Sequence, residues 1–139
     1  MSDPRGTDAV RGCIDLHAHT TASDGTATPA QFVAAAVAAG LSAVAVTDHD
    51  TVASVAEVTR LAGDAGIRVV AGVELSVHDS QDREVHLLGL HLADLAVVEG
   101  TLAGLRDARR TRAIRMVEKL NALGVALPIE AVLAEADGA

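Results

Sequence analysis

Six side chains spaced along the chain could together hold divalent metal ions: His17, His19, Asp24, His49, Glu74 and His86. His17 and His19 close the short apolar run that contains Asp15-Leu16-His17-Ala18-His19. Residues two apart on an extended strand face the same way, so both imidazoles can reach one ion. Asp24 follows in a Ser23-Asp24-Gly25 loop, and Asp48-His49-Asp50 ends the next apolar run. Glu74 ends the third run and His86 lies within the fourth. Four imidazoles and two carboxylates form a mixed nitrogen–oxygen donor set, which suits Mn, Zn or Fe better than a soft thiolate site would. A single histidine in a strand is usually structural, and His-x-His alone is only moderately specific. The coincidence with Asp-His-Asp and Glu at the next two strand ends makes a metal centre the stronger reading.

The elements that must position these groups alternate between strand and helix. An apolar run over 13–18 (CIDLHA) suits a buried strand. The segment 29–39 predicts a helix, with Thr28 as cap, Pro29 in the first turn and Gly40 at its end. A strand over 41–47, a helix over about 51–65 and a strand over 67–73 follow, with Gly66 closing the helix. Residues 77–84 are polar and short for a crossover, which favours a hairpin into a fourth strand over 85–92. This is an α/β pattern of right-handed parallel units, in which strand C-terminal ends are where active-site groups converge. A long helix over 95–123 places Leu102, Leu105, Ala113, Met116, Val117 and Leu120 at roughly helical spacing, Gly124 ends it, and 128–136 forms a short last helix.

Composition narrows the function further. With 139 residues, half of them apolar, the chain has the size of one ordinary domain. Phe32 is its only aromatic residue besides histidine, so alanine and aliphatic side chains must build the core. Charges or breakers interrupt every apolar run before it reaches the ~18–20 residues of a membrane span. Residues 1–10 lack the apolar segment of a secretory signal, which with the lone Cys13 points to a cytoplasmic protein. The net charge of −8 argues against duplex nucleic-acid binding. Cys13 reads as a buried strand residue, His78 and His91 as surface residues. The cluster Arg106, Arg109, Arg110, Arg112 and Arg115 reads as a solvated helix face rather than a phosphate-docking one.

The segments Asp15-Leu16-His17-Ala18-His19-Thr20, Ser23-Asp24-Gly25, Thr47-Asp48-His49-Asp50-Thr51, Gly72-Val73-Glu74 and Val85-His86-Leu87-Leu88-Gly89 resemble the PHP (polymerase and histidinol phosphatase) family. Within it, the likeness is to small bacterial metal-dependent phosphoesterases, among them 3′,5′-nucleoside bisphosphate phosphatases and short-RNA 5′-exonucleases. The resemblance runs from about Cys13 to the last residue. It implies a distorted (β/α)7 barrel with up to three metal ions. On that pattern His17, His19 and Glu74 hold one metal, Glu74 bridges to a second that His86 also binds, and Asp24 with His49 holds the third. The implied chemistry is hydrolysis of phosphate esters of small nucleotidic substrates, a nucleotide or short oligonucleotide, by a metal-activated hydroxide. His49 and Glu74 then belong to the catalytic centre, and Asp48 joins them by orienting an imidazole. Asp50 reads as a cap of the following helix.

One departure from the family pattern bears on the whole reading. The later half of family members contributes a His in an Ala-His-Pro-like segment and an Asp-x-His pair, whereas no histidine follows His91 here. The expectation is therefore the first half of a barrel: a tail over 1–12, strands one to four over 13–94, and the truncated start of a helical insertion over 95–139. An inactive metal-binding half-domain is the alternative to a working phosphoesterase. Amidohydrolase-type C–N hydrolysis is a poorer one, because such sites often bridge metals through a carboxylated lysine. Lys119, the only lysine, falls on the long helix.

Overall fold

A computed structural model of the chain describes residues 12–136. Apart from Gly12, the expected tail lies outside the described residues. The chain divides into two compact units between Ala93 and Asp94.

The first unit contains β1 (Cys13–Asp15), α1 (Pro29–Ala38), β2 (Leu41–Val46), α2 (Val55–Asp64), β3 (Arg68–His78) and β4 (Glu84–Leu90). The four strands form one sheet in the order β1-β2-β3-β4. β1 pairs with β2 and β2 with β3 in parallel, whereas β3 and β4 form the expected antiparallel hairpin. Local chemistry starts α1 as the sequence predicts. The Thr28 hydroxyl accepts from Gln31 N, the Gln31 side-chain oxygen accepts from Thr28 N, and Pro29 occupies the first turn. Helix α1 packs on α2 and β2, and α2 packs on β3. Phe32, Val33 and Ala36 of α1, Val55, Val58 and Ala62 of α2, and Val44, Ala45, Val46, Val70 and Val73 of the central strands are buried. The core is thus built from small and β-branched side chains, as the near-absence of aromatics requires.

Three expectations are corrected. β1 is three residues long rather than six, so His17 and His19 lie beyond it. Cys13 is exposed, because β1 is an edge strand and all three of its residues face solvent. Asp50 does not cap α2: a turn closed by Val55 N on Val52 O precedes the helix, and Ser54 stands at the N-cap. Asp50 instead adopts φ 49°, a left-handed turn residue four positions too early to cap the helix.

The second unit is α3 (Leu95–Ala122) and α4 (Ile129–Ala136). Asp94 caps α3 by accepting from Val97 N, and the Asn121 side chain bonds both the N–H and the carbonyl of Leu127, shaping the turn into α4. Of the expected apolar stripe only Leu102 and Val117 are buried, while Leu105, Met116 and Leu120 are exposed. Arg109, Arg110, Arg112 and Arg115 are exposed, and Arg106 pairs with Glu99. Among the described residues no helix is long and apolar enough to cross a membrane.

Candidate metal centre

The parallel ladder between β2 and β3 resumes after a short break. Glu74 N bonds Asp48 O, Asp50 N bonds Glu74 O, and His49 pairs with Glu74 across the bridge. His49 is thereby set beside Glu74, which the antiparallel register pairs with Leu88. His86, two residues from Leu88, is then a diagonal neighbour on the same face of the sheet, within reach of a long side chain. Beyond β1, Ala18 is held twice by one residue. Thr47 N bonds Ala18 O, and the Thr47 hydroxyl accepts from Ala18 N at 3.1 Å while lying 3.2 Å from Ala18 O. The residues on either side of that clamp are His17 and His19. Hydrogen bonds to Thr47, rather than strand pairing proper, aim the His-x-His motif.

Glu74 is the hub. Its Oε2 lies 2.8 Å from His17 Nε2, 3.0 Å from His19 Nε2 and 3.4 Å from His49 Nε2, and its Oε1 lies 3.0 Å from His86 Nδ1. Asp24 completes the cluster, with Oδ1 3.2 Å from His19 Nδ1 and Oδ2 3.6 Å from His49 Nε2. The four rings run in a row, His17–His19–His49–His86, with successive centroids 5.0, 4.9 and 4.9 Å apart. The Glu74 side chain is 3% exposed, against 50% for His17 and 45% for His86, so a buried carboxylate sits beneath a row of imidazoles whose two ends are open. Burial pushes the Glu74 carboxyl up. The hydrogen bond from His17 and the charges of His49, His17 and His19 outweigh it and hold the group below its ordinary value.

These residues fit divalent ions. Three overlapping triads, His17–His19–Glu74, His19–Asp24–His49 and His49–Glu74–His86, each have ligand atoms within 4.8 Å of one another. Ligands bound at ~2.0–2.2 Å stand about 3–4 Å apart around one ion, so only small adjustments separate these atoms from coordination. His19 Nδ1 is buried without a hydrogen bond although Asp24 lies beside it, a donor atom that an ion would satisfy.

All six residues expected from the sequence as ligands are brought together. Asp48 is not among them and touches no imidazole: its hydrogen bonds go to Thr20, Ser23 and Ser54. The expectation that it orients a ring is therefore corrected. Asp50 is buried without belonging to any of the triads, and His78 and His91 are exposed, as expected. Sequence reasoning missed Thr20, Thr47 and Ser54, which support the cluster through hydroxyl groups. Their side chains look like ordinary strand-end residues until pairing is known.

Comparison with known proteins gives a consistent picture. The PHP domain model matches residues 15–119. A 5′-3′ exoribonuclease of Haemophilus influenzae is 34% identical over 89% of this chain and 45% of its own length. A 3′,5′-nucleoside bisphosphate phosphatase of Chromobacterium violaceum is 38% identical over 81% of this chain and 40% of its own. Two solved structures superpose well. One, from C. violaceum, was named an amidohydrolase and holds sulfate; it has TM-score 0.69 and 35% identity over 87% of this chain and 43% of that one. The other, described as a metal-dependent phosphoesterase of Bifidobacterium adolescentis, has TM-score 0.66 and 36% identity over 81% of this chain and 39% of that one. The chain thus spans less than half the length of the relatives it matches.

Proposed function

The chain belongs to the PHP domain family, and from that premise we propose that His17, His19, Asp24, His49, Glu74 and His86 form the N-terminal part of a metal-dependent phosphoesterase centre acting on small nucleotidic substrates. The observation that carries this reading is the convergence of four imidazoles, from four strand ends and loops, on the buried Glu74, with Asp24 against two of them. The nitrogen–oxygen donor set suits Mn, Zn or Fe. When bound, such ions activate water near neutral pH and neutralise phosphate oxygens. The chain's own residues supply the rest. Glu74 joins two triads with its two oxygens, His49 is shared by the triads containing Asp24 and His86, and the half-exposed His17 and His86 leave the site open to a phosphate group. The triads consist of imidazoles and carboxylates of the first unit, whereas the one lysine of the sequence, Lys119, belongs to α3 of the second, so the donor set favours the phosphoesterase reading over a carboxylated-lysine bridge. The nucleotidic substrate class rests on the names of the exoribonuclease and bisphosphate phosphatase relatives.

The test is reconstitution with Mn²⁺, followed by metal counting and phosphate-release assays on an aryl phosphate and a nucleoside 3′,5′-bisphosphate. Metal should bind, and His17→Ala and His49→Ala should each lower bound metal and any turnover at least tenfold. Metal content and phosphate release unchanged in both variants would overturn the reading. Bound metal without turnover in the 139-residue chain would support the inactive half-domain instead.

A further inference from the structure

We propose that Asp48 is a positioning residue that fastens the Thr20–Gly25 loop so that Asp24 is held against His19 and His49; this rests on the reading of the cluster as a metal centre. Asp48 is fully buried, and both its oxygens are used. Oδ1 accepts from Thr20 N at 2.6 Å and from the Ser23 hydroxyl at 3.0 Å. Oδ2 accepts from the Thr20 hydroxyl at 2.8 Å and from the Ser54 hydroxyl. An ionised carboxylate only accepts, and four donors match its capacity. The partners come from two places, the loop after the His-x-His motif and the start of α2, so Asp48 ties the loop to the helix entry.

The loop itself is closed over this anchor. Ser23 N and Gly25 N both bond Thr20 O, and Thr21 N bonds Ala27 O. Gly25 packs so tightly on the preceding turn that a Cβ there would lie 2.5 Å from the His19 carbonyl carbon and oxygen. Asp24 therefore sits between two fixed neighbours: Ser23, bonded to Asp48, and Gly25, pressed on His19. Its own side chain is 53% exposed, and its Oδ1 accepts a long bond, 3.4 Å, from the same Ser23 hydroxyl that reaches Asp48, so the tether leads directly to the carboxylate whose oxygens face His19 Nδ1 and His49 Nε2.

The experiment is a double-mutant cycle on the full chain, read by Mn²⁺ binding and by hydrogen exchange of the metal-free protein. Asp48→Asn and Asp24→Ala should each weaken one class of Mn²⁺ site about tenfold or more, leaving the other class in place. The double variant should be no weaker than Asp24→Ala alone, because Asp48 acts through Asp24. In metal-free Asp48→Asn, the amides of Thr21, Ser23 and Gly25 should exchange at least tenfold faster while those of β2 and β3 keep their protection. Ser23→Ala removes the hydroxyl that reaches both Asp48 and Asp24 and should show the same selectivity at smaller size, which keeps the proposal testable if Asp48→Asn does not fold. Full additivity in the cycle, equal weakening of all Mn²⁺ sites, or unchanged loop exchange would overturn it. Absence of Mn²⁺ binding in the unaltered chain would refute the metal reading itself, with loop exchange still deciding whether Asp48 holds the loop.

Discussion

Glu74 shows why a single side chain can be both the centre of a site and a stabilising element of the fold. It is buried, which disfavours its charge, yet the hydrogen bond from His17 and the charges of His49, His17 and His19 favour it, and the second effect prevails. A carboxyl held below its ordinary value binds its proton less tightly in the folded chain than in the unfolded one. Its contribution is therefore present above the unfolded carboxylate value and is lost as pH falls through the lowered folded value. In metal-free protein, Glu74→Gln should cost about 1–3 kcal/mol near pH 6, as expected for removing a charged hydrogen-bond partner. The difference from the unaltered chain should vanish at pH well below ~4. Urea unfolding across that range measures it; a cost that persists unchanged into acid would show that the carboxylate charge is not its source. The six residues that the structure gathers around Glu74 and Asp24 could be picked out from identity and spacing, because a metal reading asks only for donor types at strand ends. The roles of Asp48 and Asp50 were not, since Asp-His-Asp has the same appearance whether its carboxylates meet an imidazole, a hydroxyl or a turn.

At the scale of elements, close approach of β2 and β3 is what brings His49 alongside Glu74. The approach is made at Gly72, two residues before Glu74, where a Cβ would meet Thr47 Cγ2 and Val46 O at 2.9 Å and Gly89 O at 3.1 Å. Two of those three atoms are backbone, which can yield only by separating strands. On β4, a Cβ at Gly89 would meet nothing closer than Val73 Cγ1, at 3.3 Å, the end of a side chain that can rotate. Gly72→Ala should therefore destabilise by about 1–3 kcal/mol, the usual range for overpacking, and should weaken metal binding. Gly89→Ala should cost clearly less. Urea midpoints of the two variants, with Mn²⁺ titrations, test the contrast, and equal costs would disprove it. The alternation of strands and helices, the Thr28 cap and the β3–β4 hairpin could be read in advance because each rests on local chemistry. The short β1, the late start of α2 and the resumed ladder at 48–50 could not, because each depends on what a neighbouring strand offers.

For the molecule as a whole, all six candidate ligands fall between His17 and His86, in the first unit, and come from segments far apart in sequence. The acidic excess of the chain is partly accounted for by this: Asp24, Asp48 and Glu74 are tied into the cluster or its support rather than spread over the surface. The unit's edges are less well covered, with Ile14 of β1 57% exposed and Leu87 of β4 56% exposed, and its core relies on alanine and valine. A small core of this kind gains proportionately from any ligand that binds only the folded form. An ion joining the loop after β1, the end of β2, and strands β3 and β4 binds a constellation the unfolded chain does not possess, so its binding free energy is added to folding. At a hundredfold excess over Kd that amounts to ~2.7 kcal/mol, or about ten degrees or more in Tm for a unit of this size. Mn²⁺ should raise the melting temperature, EDTA should reverse it, and Glu74→Gln should remove most of the response because Glu74 takes part in two of the three triads. Equal Mn²⁺-induced shifts in the unaltered chain and in Glu74→Gln would place the ion elsewhere.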